Sequence, residues 1–425
     1  MNKFLNSLQF RVSALFVIFF LLILSAIFGV LSTVGKPLLE KQAHEQVILV
    51  GQNIVSELGR RIALAESLAT TLANLGEQLQ PDDAPNKKLT EHILNYEGTE
   101  SFIAGGGLWP APYRYDPEIE RRSFFWGRDS QGVLKYYDDY NDPKGPGYHH
   151  EEWYVPAMHL EQGEAFWSKS YMDPYSYQPM VTVTVPMYRR EQFYGVSTVD
   201  LKLEGLHAFL GEVSRSFDGY AFAVDRNGKF LSFPDESLTK TYAMDDQGGR
   251  TEEFIGIREL AAKQPKFDPL AAAVQNVIDQ LVSTATATGI YREDLAKTIA
   301  EESYQIGRYE AQLITAVLAD MHQAAGLAEH EIQQVHLDDD LLLGEPAFAA
   351  VFEMPQTYWK IVTVMPYSRV KDASDVVYRN LASYTVIAVL GSLAAIFSGE
   401  THTHQTCHRN VGAVAEVISS HRFGP

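Results

Sequence analysis

The feature that most constrains this fold is the stretch from Val12 to Gly35, which contains no charged residue over 24 positions. About 20 apolar residues suffice for a helix to cross the ~30 Å hydrocarbon core of a bilayer. A cleavable signal peptide has a shorter apolar region, of roughly 7–15 residues. We therefore expect an uncleaved transmembrane helix at 12–35. Lys3 and Arg11 precede it, so residues 1–11 are expected to be cytoplasmic.

A second charge-free run covers 381–399 and is less hydrophobic than the first. It is either a second transmembrane helix or a buried surface helix, and we expect the former. Two spans predict a protein of the inner cell membrane with a large extracytoplasmic (periplasmic) region and a short cytoplasmic tail at 400–425. Three histidines and one cysteine in this tail could ligate a metal, but a solvated tail is favoured: His402, His404, Cys407 and His408.

Charge and motif content exclude several classes of function. The net charge of −19 argues against a nucleic-acid partner, because phosphate binding needs clustered Lys and Arg. The single cysteine, Cys407, excludes an intrachain disulfide. There is no Gly-x-Ser-x-Gly elbow or comparable catalytic arrangement, so we expect neither an enzyme nor a cofactor.

Residues 36–80 are expected to form one long extracytoplasmic helix. Apolar side chains recur there at spacings of three and four, which is typical of an amphipathic helix: Val47, Val50, Ile54, Leu58, Ile62, Ala65, Leu68 and Leu72. This stripe packs either on its own domain alone or also against a second copy of the chain. The second alternative predicts a homodimer through this helix.

The rest of the extracytoplasmic region predicts an α+β fold with two PAS-like antiparallel sheets. In the first module, 81–215, a hairpin is expected around Asp129–Gly132, and two alternating strands flank Arg189–Glu191. In the second module, 216–378, the Asn227-Gly228 pair between apolar arms indicates another hairpin. An Ala-rich, polar stretch at about 251–328 is interpreted as a helical insertion that serves only for packing.

An ordered motif lies in the first module. It comprises the pair Trp153-Tyr154, then Tyr171-Met172-Asp173, then Val185-Pro186, and finally "GVSTVD", which ends at Asp200. With the flanking membrane helices and the long helix, this order resembles the double Cache family of bacterial receptor sensor domains, found in chemoreceptors, diguanylate cyclases and sensor kinases. The resemblance covers about 12–399, and the helical insertion fits it least well.

The resemblance implies a small-ligand pocket in the first module, between the Trp-Tyr loop and the sheet. Its candidate residues are Trp153, Tyr154, Tyr171, Asp173 and Asp200. Aromatic faces attract an ammonium group by about 0.5–2 kcal/mol, and carboxylates accept charge-assisted hydrogen bonds from it. The alternatives are that Trp153 is a core aromatic and that Asp173, before Pro174, starts a turn.

Glu151 departs from the family pattern. Members that bind amino acids carry an arginine at this position, which pairs with the ligand carboxylate. An anion here repels a carboxylate and favours an amine-like or uncharged ligand. We therefore add Glu151 to the candidate ligand-binding residues.

The segment "HHEEWYVPA" at 149–157 is open to a second interpretation, a metal site. We do not favour it, because neighbouring residues of an extended segment point to opposite sides and the His-Glu-x-x-His spacing is absent. The rim or wall of a sensor pocket is the preferred interpretation.

The expected function is therefore that of a membrane-anchored extracytoplasmic sensor that binds a small ligand and passes a signal across the membrane. Only 26 residues follow 399, with no kinase, cyclase or methyl-accepting rod, so we expect the output domain to be missing. The alternative is a membrane-tethered scaffold without a small-molecule ligand.

Overall fold

The computed structural model describes residues 8–78, 80–96, 98–244, 250–303, 305–322 and 332–368, with eleven further positions between 376 and 391. The chain divides into two compact units, one of which is Glu45–Tyr367. The other comprises the chain up to His44 and from Ser368 onward. Most of the predicted second span and all of 400–425 lie outside the described residues.

The N-terminal part is helical throughout, as expected. Helix α1 covers Leu8–Val30, a π-helical turn follows at Leu31–Gly35, and helix α2 covers Lys36–Gln78. Within the described residues, Ile18–Gly35 is the one segment long and apolar enough to cross a membrane, and none of it is buried inside the protein. These features agree with the first predicted span.

The apolar stripe of α2 packs on the chain's own compact unit. Six of its predicted members are buried: Val47, Ile54, Leu58, Ile62, Ala65 and Leu72. Two glycines, Gly51 and Gly76, lie against side chains of the two sheets described below. The stripe is thus explained without a second copy of the chain, and the homodimer stays a prediction.

The first sheet is antiparallel and has seven strands, in the order β3-β2-β1-β7-β6-β4, with β5 also paired to β6. Both predicted strand pairs are confirmed, β2 with β3 and β6 with β7. Helix α3, Asp83–Leu94, packs on this sheet, and helix α4, Leu203–Ser214, follows it. The strands are β1 Ile103–Pro110, β2 Phe124–Arg128, β3 Leu134–Tyr137, β4 Phe166–Trp167, β5 Tyr171–Met172, β6 Pro179–Arg189 and β7 Gln192–Lys202.

The second sheet is also antiparallel and has the order β12-β13-β14-β8-β9. The predicted Asn227-Gly228 hairpin is confirmed, because Gly228 takes a φ of +79° between β8 and β9. A separate two-stranded hairpin pairs β10 with β11. These strands are β8 Tyr220–Val224, β9 Phe230–Ser232, β10 Lys240–Met244, β11 Arg250–Phe254, β12 Gln333–Leu337, β13 Ala347–Glu353 and β14 Lys360–Pro366.

The predicted helical insertion is present, but it begins later than expected. Residues 251–254 belong to β11, and the helices are α5 Ile257–Lys263, α6 Asp268–Ala287, α7 Glu293–Glu302 and α8 Arg308–Met321. Helix α6 buries apolar side chains such as Val274 in the core of the second sheet. Ile299 of α7 and Ile314 of α8 instead join the core that contains Trp153. The insertion therefore packs against both modules.

Candidate functional site

One face of the first sheet carries a row of hydroxyl groups that ends at Asp200. Thr182 lies opposite Asp200, and Thr184 lies opposite Thr198, in the β6–β7 register. The Thr182 hydroxyl donates to Oδ1 of Asp200 over 2.7 Å, and the Tyr171 hydroxyl lies 2.6 Å from Thr182 Oγ1. Because a threonine hydroxyl has one proton, Tyr171 donates to Thr182. The result is a directed chain from Tyr171 through Thr182 to Asp200.

Asp200 is a buried carboxyl group with a strongly altered acidity. It is 5% exposed, and burial raises its pKa from 3.8 to about 7, against the lowering effect of Thr182 and with a further increase from Asp173. Among the residues that the structure describes, no cation forms an ion pair with Asp200 or Asp173. The uncompensated carboxyl groups therefore favour the binding of a positively charged ligand.

Tyr140 lies close to several acidic groups, and Glu151 is one of them. Burial raises its pKa well above 10, and the charges of Glu151, Asp139, Asp200 and Asp173 raise it further, in that order. Glu151 itself is half-buried. Several carboxylates thus surround one phenol, and Glu151, at the position where the resemblance predicts an arginine, is one of them.

We call the part of the sheet around Asp200, together with the nearby carboxylates of Asp173, Asp139 and Glu151, the acidic face. Aromatic rings cover it. Trp153 lies 4.8 Å from Trp109, centroid to centroid, and the Trp109 indole donates to Thr198 over 2.8 Å. The rings of Tyr137 and Tyr175 lie 4.2 Å apart at a tilt of 37°, and Tyr175 also contacts Phe125. The Thr184 hydroxyl is buried and has no hydrogen-bond partner among the described residues. A buried donor without a partner is expected where a ligand supplies one.

The predicted site residues do not all serve the same purpose. Asp200, Tyr171, Trp153 and Glu151 lie around the acidic face. Asp173 joins them through its charge, but its carboxylate also accepts the backbone N–H and the hydroxyl of Ser176, as a turn residue does. Tyr154 is fully buried and packs near Tyr148 and Phe193, so it belongs to the aromatic core.

Several residues of the site were not predicted. The threonines that alternate with valine in "VTVTV" share the face of Asp200, and this alternation was visible in the sequence. Gly105, on the central strand, pairs with Asp200, and a Cβ there would lie 3.2 Å from Asp200 Oδ2. Tyr140 comes from a short 3₁₀ turn, and no motif marked it.

A buried charge cluster lies directly beside the site. Glu152, which precedes Trp153, pairs with Arg226 of the β8–β9 turn, and both are nearly inaccessible. Glu310 of α8 contacts Arg226 at 3.4 Å and Lys169 at 3.0 Å. Burial raises the pKa of Glu152 to about 7, although Arg226 opposes this shift. The cluster therefore joins the Trp153 loop, the second sheet and the helical insertion.

The segment "HHEEWYVPA" is not extended, contrary to the sequence-based argument. Backbone turns at 148–160 place the N–H groups of Tyr154 and Val155 on the Glu151 carbonyl. The rings of His149 and His150 lie 4.2 Å apart, and His150 Nδ1 contacts the Glu302 carbonyl at 2.8 Å. Within the described ranges no three His, Cys, Asp or Glu side chains form a group that could hold a metal ion.

The sequence matches known chemoreceptors over part of its length. Residues 89–208 match the family model described as the first PDC sensor domain of methyl-accepting chemotaxis protein-like proteins. The methyl-accepting chemotaxis protein PctB of Pseudomonas aeruginosa is 26% identical over 200 residues, which are 47% of this chain. The matched region spans only 27% of PctB.

Alignments to solved structures of receptor proteins cover most of the chain at low sequence identity. The structure of methyl-accepting chemotaxis protein X has a TM-score of 0.49 and 14% identity, and the alignment covers 77% of this chain and 98% of that one. The ligand-binding domain of the Pseudomonas aeruginosa amino acid chemoreceptor PctC, in complex with GABA, has a TM-score of 0.40 and 18% identity. That alignment covers 77% of this chain and 99% of the PctC domain.

Proposed function

We propose that this chain, whose residues 89–208 belong to the PDC sensor domains of methyl-accepting chemotaxis protein-like receptors, is a membrane-anchored extracytoplasmic sensor for a small ammonium-bearing ligand. The family match confirms the resemblance to Cache-type chemoreceptor sensor domains. The observation that supports the ligand class is Asp200, a buried carboxyl group with a pKa raised to about 7 and no cationic partner among the described residues.

The acidic face has the chemistry that an ammonium group requires. An ammonium ion would pair with the Asp200 carboxylate while Tyr171 and Thr182 hold that carboxylate in place. Aromatic rings around it would add cation–π attraction of about 0.5–2 kcal/mol. Glu151 would repel a ligand carboxylate, so a simple amine is favoured over an amino acid. We propose no enzymatic activity for this region.

Signalling would follow from a shift between two conformations. A ligand favours the state that it binds more tightly, and here the Trp153 loop is joined to the second sheet through Glu152 and Arg226. The state of this loop would then affect α2, which continues toward the first membrane span. Transmission to a cytoplasmic partner and homodimerisation are parts of this proposal.

Calorimetric titration of the full chain in detergent micelles tests the ligand class. We expect butylamine to bind, and its uncharged analogue butyramide to bind at least about tenfold more weakly, because only the amine can form the ion pair. Asp200→Asn should abolish the preference for the amine. Asp338→Asn, at a fully exposed carboxylate, is the matched control and should leave binding unchanged.

The role of Glu151 is tested with 4-aminobutyrate, which carries both charges. We expect it to bind more weakly than butylamine, and Glu151→Arg to reverse that order. Equal binding of amine and amide by the unaltered chain would contradict the proposal. If no small molecule from an amine panel raises the melting temperature while a partner protein is retained in pull-downs, the scaffold alternative is favoured instead.

A further inference from the structure

A cavity of about 430 Å³ lies within the compact unit, and Asp200, Glu151 and Trp153 are not among the residues that line it. One part of its wall is the segment around β5, and the other comes from the β8–β9 turn and from β11. The lining residues that matter below are Ser170, Tyr171, Met172, Pro179, Lys229 and Phe254. A space of this size is sufficient for a small organic molecule.

Two polar groups in this wall have little or no protein partner. The Ser170 hydroxyl is buried, its residue is 1% exposed, and no described residue hydrogen-bonds to it. The Lys229 ammonium reaches the Ser170 carbonyl only at 3.5 Å, the limit of a hydrogen bond. The Ser170 hydroxyl and the Lys229 ammonium, which contacts the same residue and also lines the cavity, are available as donors for an anion.

Two of the other charged groups in the wall, Lys169 and Glu252, are already paired. Lys169 contacts Glu310 at 3.0 Å and the Gln305 carbonyl at 2.8 Å. Glu252 contacts the Lys240 ammonium at 3.2 Å. Glu253, the remaining carboxylate in the wall, follows Glu252 on β11 and is exposed to solvent.

Asp225 does not line the cavity, and its carboxylate is not hydrogen-bonded to the Ser170 hydroxyl or the Lys229 ammonium. Its carboxylate already accepts the backbone N–H groups of Asn227 and Lys229 at 2.9 Å, and that of Ser170 at 3.4 Å. The Lys229 charge acts on it through space. Ser170 Oγ and Lys229 Nζ therefore remain as donors toward the cavity.

We propose that this cavity is a second ligand site, and that it binds a small organic carboxylate. The carboxylate accepts hydrogen bonds from the Lys229 ammonium and the Ser170 hydroxyl. The apolar body of the ligand lies along Met172, Pro179 and Phe254. Tyr171 borders both sites, because its hydroxyl bonds to Thr182 on the acidic face while the residue also lines this cavity.

Titration of the full chain in detergent with butyrate and with butyramide tests this site. Butyrate should bind, and the uncharged amide at least about tenfold more weakly, because a hydrogen bond to a charged group is worth roughly 1.5–3 kcal/mol. Lys229→Met should weaken butyrate binding at least about tenfold, and Lys229→Arg should retain most of it. Lys297→Met, at an exposed lysine, is the matched control. Ser170→Ala should weaken binding several-fold.

The outcome is separable from that of the amine site. Asp200→Asn should leave butyrate binding intact, so failure of the amine proposal would not remove this one. The proposal is overturned if the unaltered chain does not bind butyrate, or if amide and carboxylate bind equally. It is also overturned if Asp200→Asn abolishes butyrate binding while Ser170→Ala and a folded Lys229→Met do not.

Discussion

At the scale of single residues, Asp200 links the candidate site to the stability of the protein. A carboxyl group that is buried without a cation is a cost to the folded state when it ionises. Natural sequences keep such a group where a ligand or a proton compensates for it. The raised pKa of Asp200 is therefore both a sign of function and a quantity that can be measured.

We predict that Asp200 makes the ligand-free protein less stable as the pH rises from about 4 to about 7. The folded pKa of about 7 lies above the ordinary value of 3.8, so in this range the folded state keeps a proton that the unfolded state has lost. The loss of stability is on the order of 4 kcal/mol and levels off above pH 7.

Urea denaturation at several pH values measures this contribution. Asp200→Asn should remove this part of the pH dependence, whereas Asp338→Asn, at an exposed carboxylate, should not. Butylamine should also bind more tightly at pH 8 than at pH 6, because it pairs with the ionised carboxylate. An unchanged pH profile in Asp200→Asn would mean that this carboxyl group is not the one that titrates.

Arg226 is a second residue whose effect follows from burial. It compensates for the charges of Glu152 and Glu310 in a region closed to solvent. Arg226→Met should destabilise the protein by about 3–5 kcal/mol, because two carboxylates remain buried with less compensation. Arg292→Met, at an exposed ion pair, is the control. A similar denaturation midpoint for both variants would disprove the assignment.

At the scale of elements, the close packing of α2 on the second sheet depends on glycine. A Cβ at Gly51 would overlap the ring of Phe352, whereas a Cβ at Gly59 meets no atom of the described residues within 4 Å. We predict that Gly51→Ala destabilises the protein by about 1–3 kcal/mol through overpacking. In the same helix Gly59→Ala should stabilise it by up to about 1 kcal/mol. Thermal denaturation of the pair checks this, and equal shifts would refute it.

Most elements were predictable because their signals are local. The Asn227-Gly228 turn, the alternation in β6 and β7 and the three- and four-residue spacing of apolar side chains in the 43-residue helix α2 are each encoded within the segment that forms them. The β10–β11 hairpin was missed, since its residues lack strong alternation and precede an Ala-rich helical stretch. The site was predictable only through the resemblance, apart from the threonines whose alternation in β6 places them on the face of Asp200. Tyr140 reaches it by tertiary packing.

At the scale of the whole molecule, the helical insertion is more than the packing element that its composition suggested. Helix α8 carries Glu310 into the buried cluster beside Trp153, and its apolar face shares a core with the Trp153 loop. A pairing between positions 152, 226 and 310 has no signature in a single sequence, because the partners are far apart along the chain. The two sheets are therefore connected through the Trp153 loop, the β8–β9 turn and helix α8, which are far apart in the sequence.

Because of this connection, we predict that ligand binding at the acidic face slows amide hydrogen exchange in the helical insertion. We expect bound butylamine to make the Trp153 loop less mobile. Since Glu152 pairs with Arg226 and Arg226 contacts Glu310, helix α8 should also become less mobile. Amide hydrogen exchange in Arg308–Met321 should therefore slow. Glu310→Gln should bind the amine about as well but lose the slowing in α8, because the ionic contacts to Arg226 and Lys169 are weakened. Glu301→Gln, at an exposed carboxylate on α7, should behave like the unaltered protein. If exchange in α8 slows equally in Glu310→Gln, the buried charge cluster does not couple the site to the second module, and the shared apolar core of Trp153, Ile314 and Leu318 carries the effect instead.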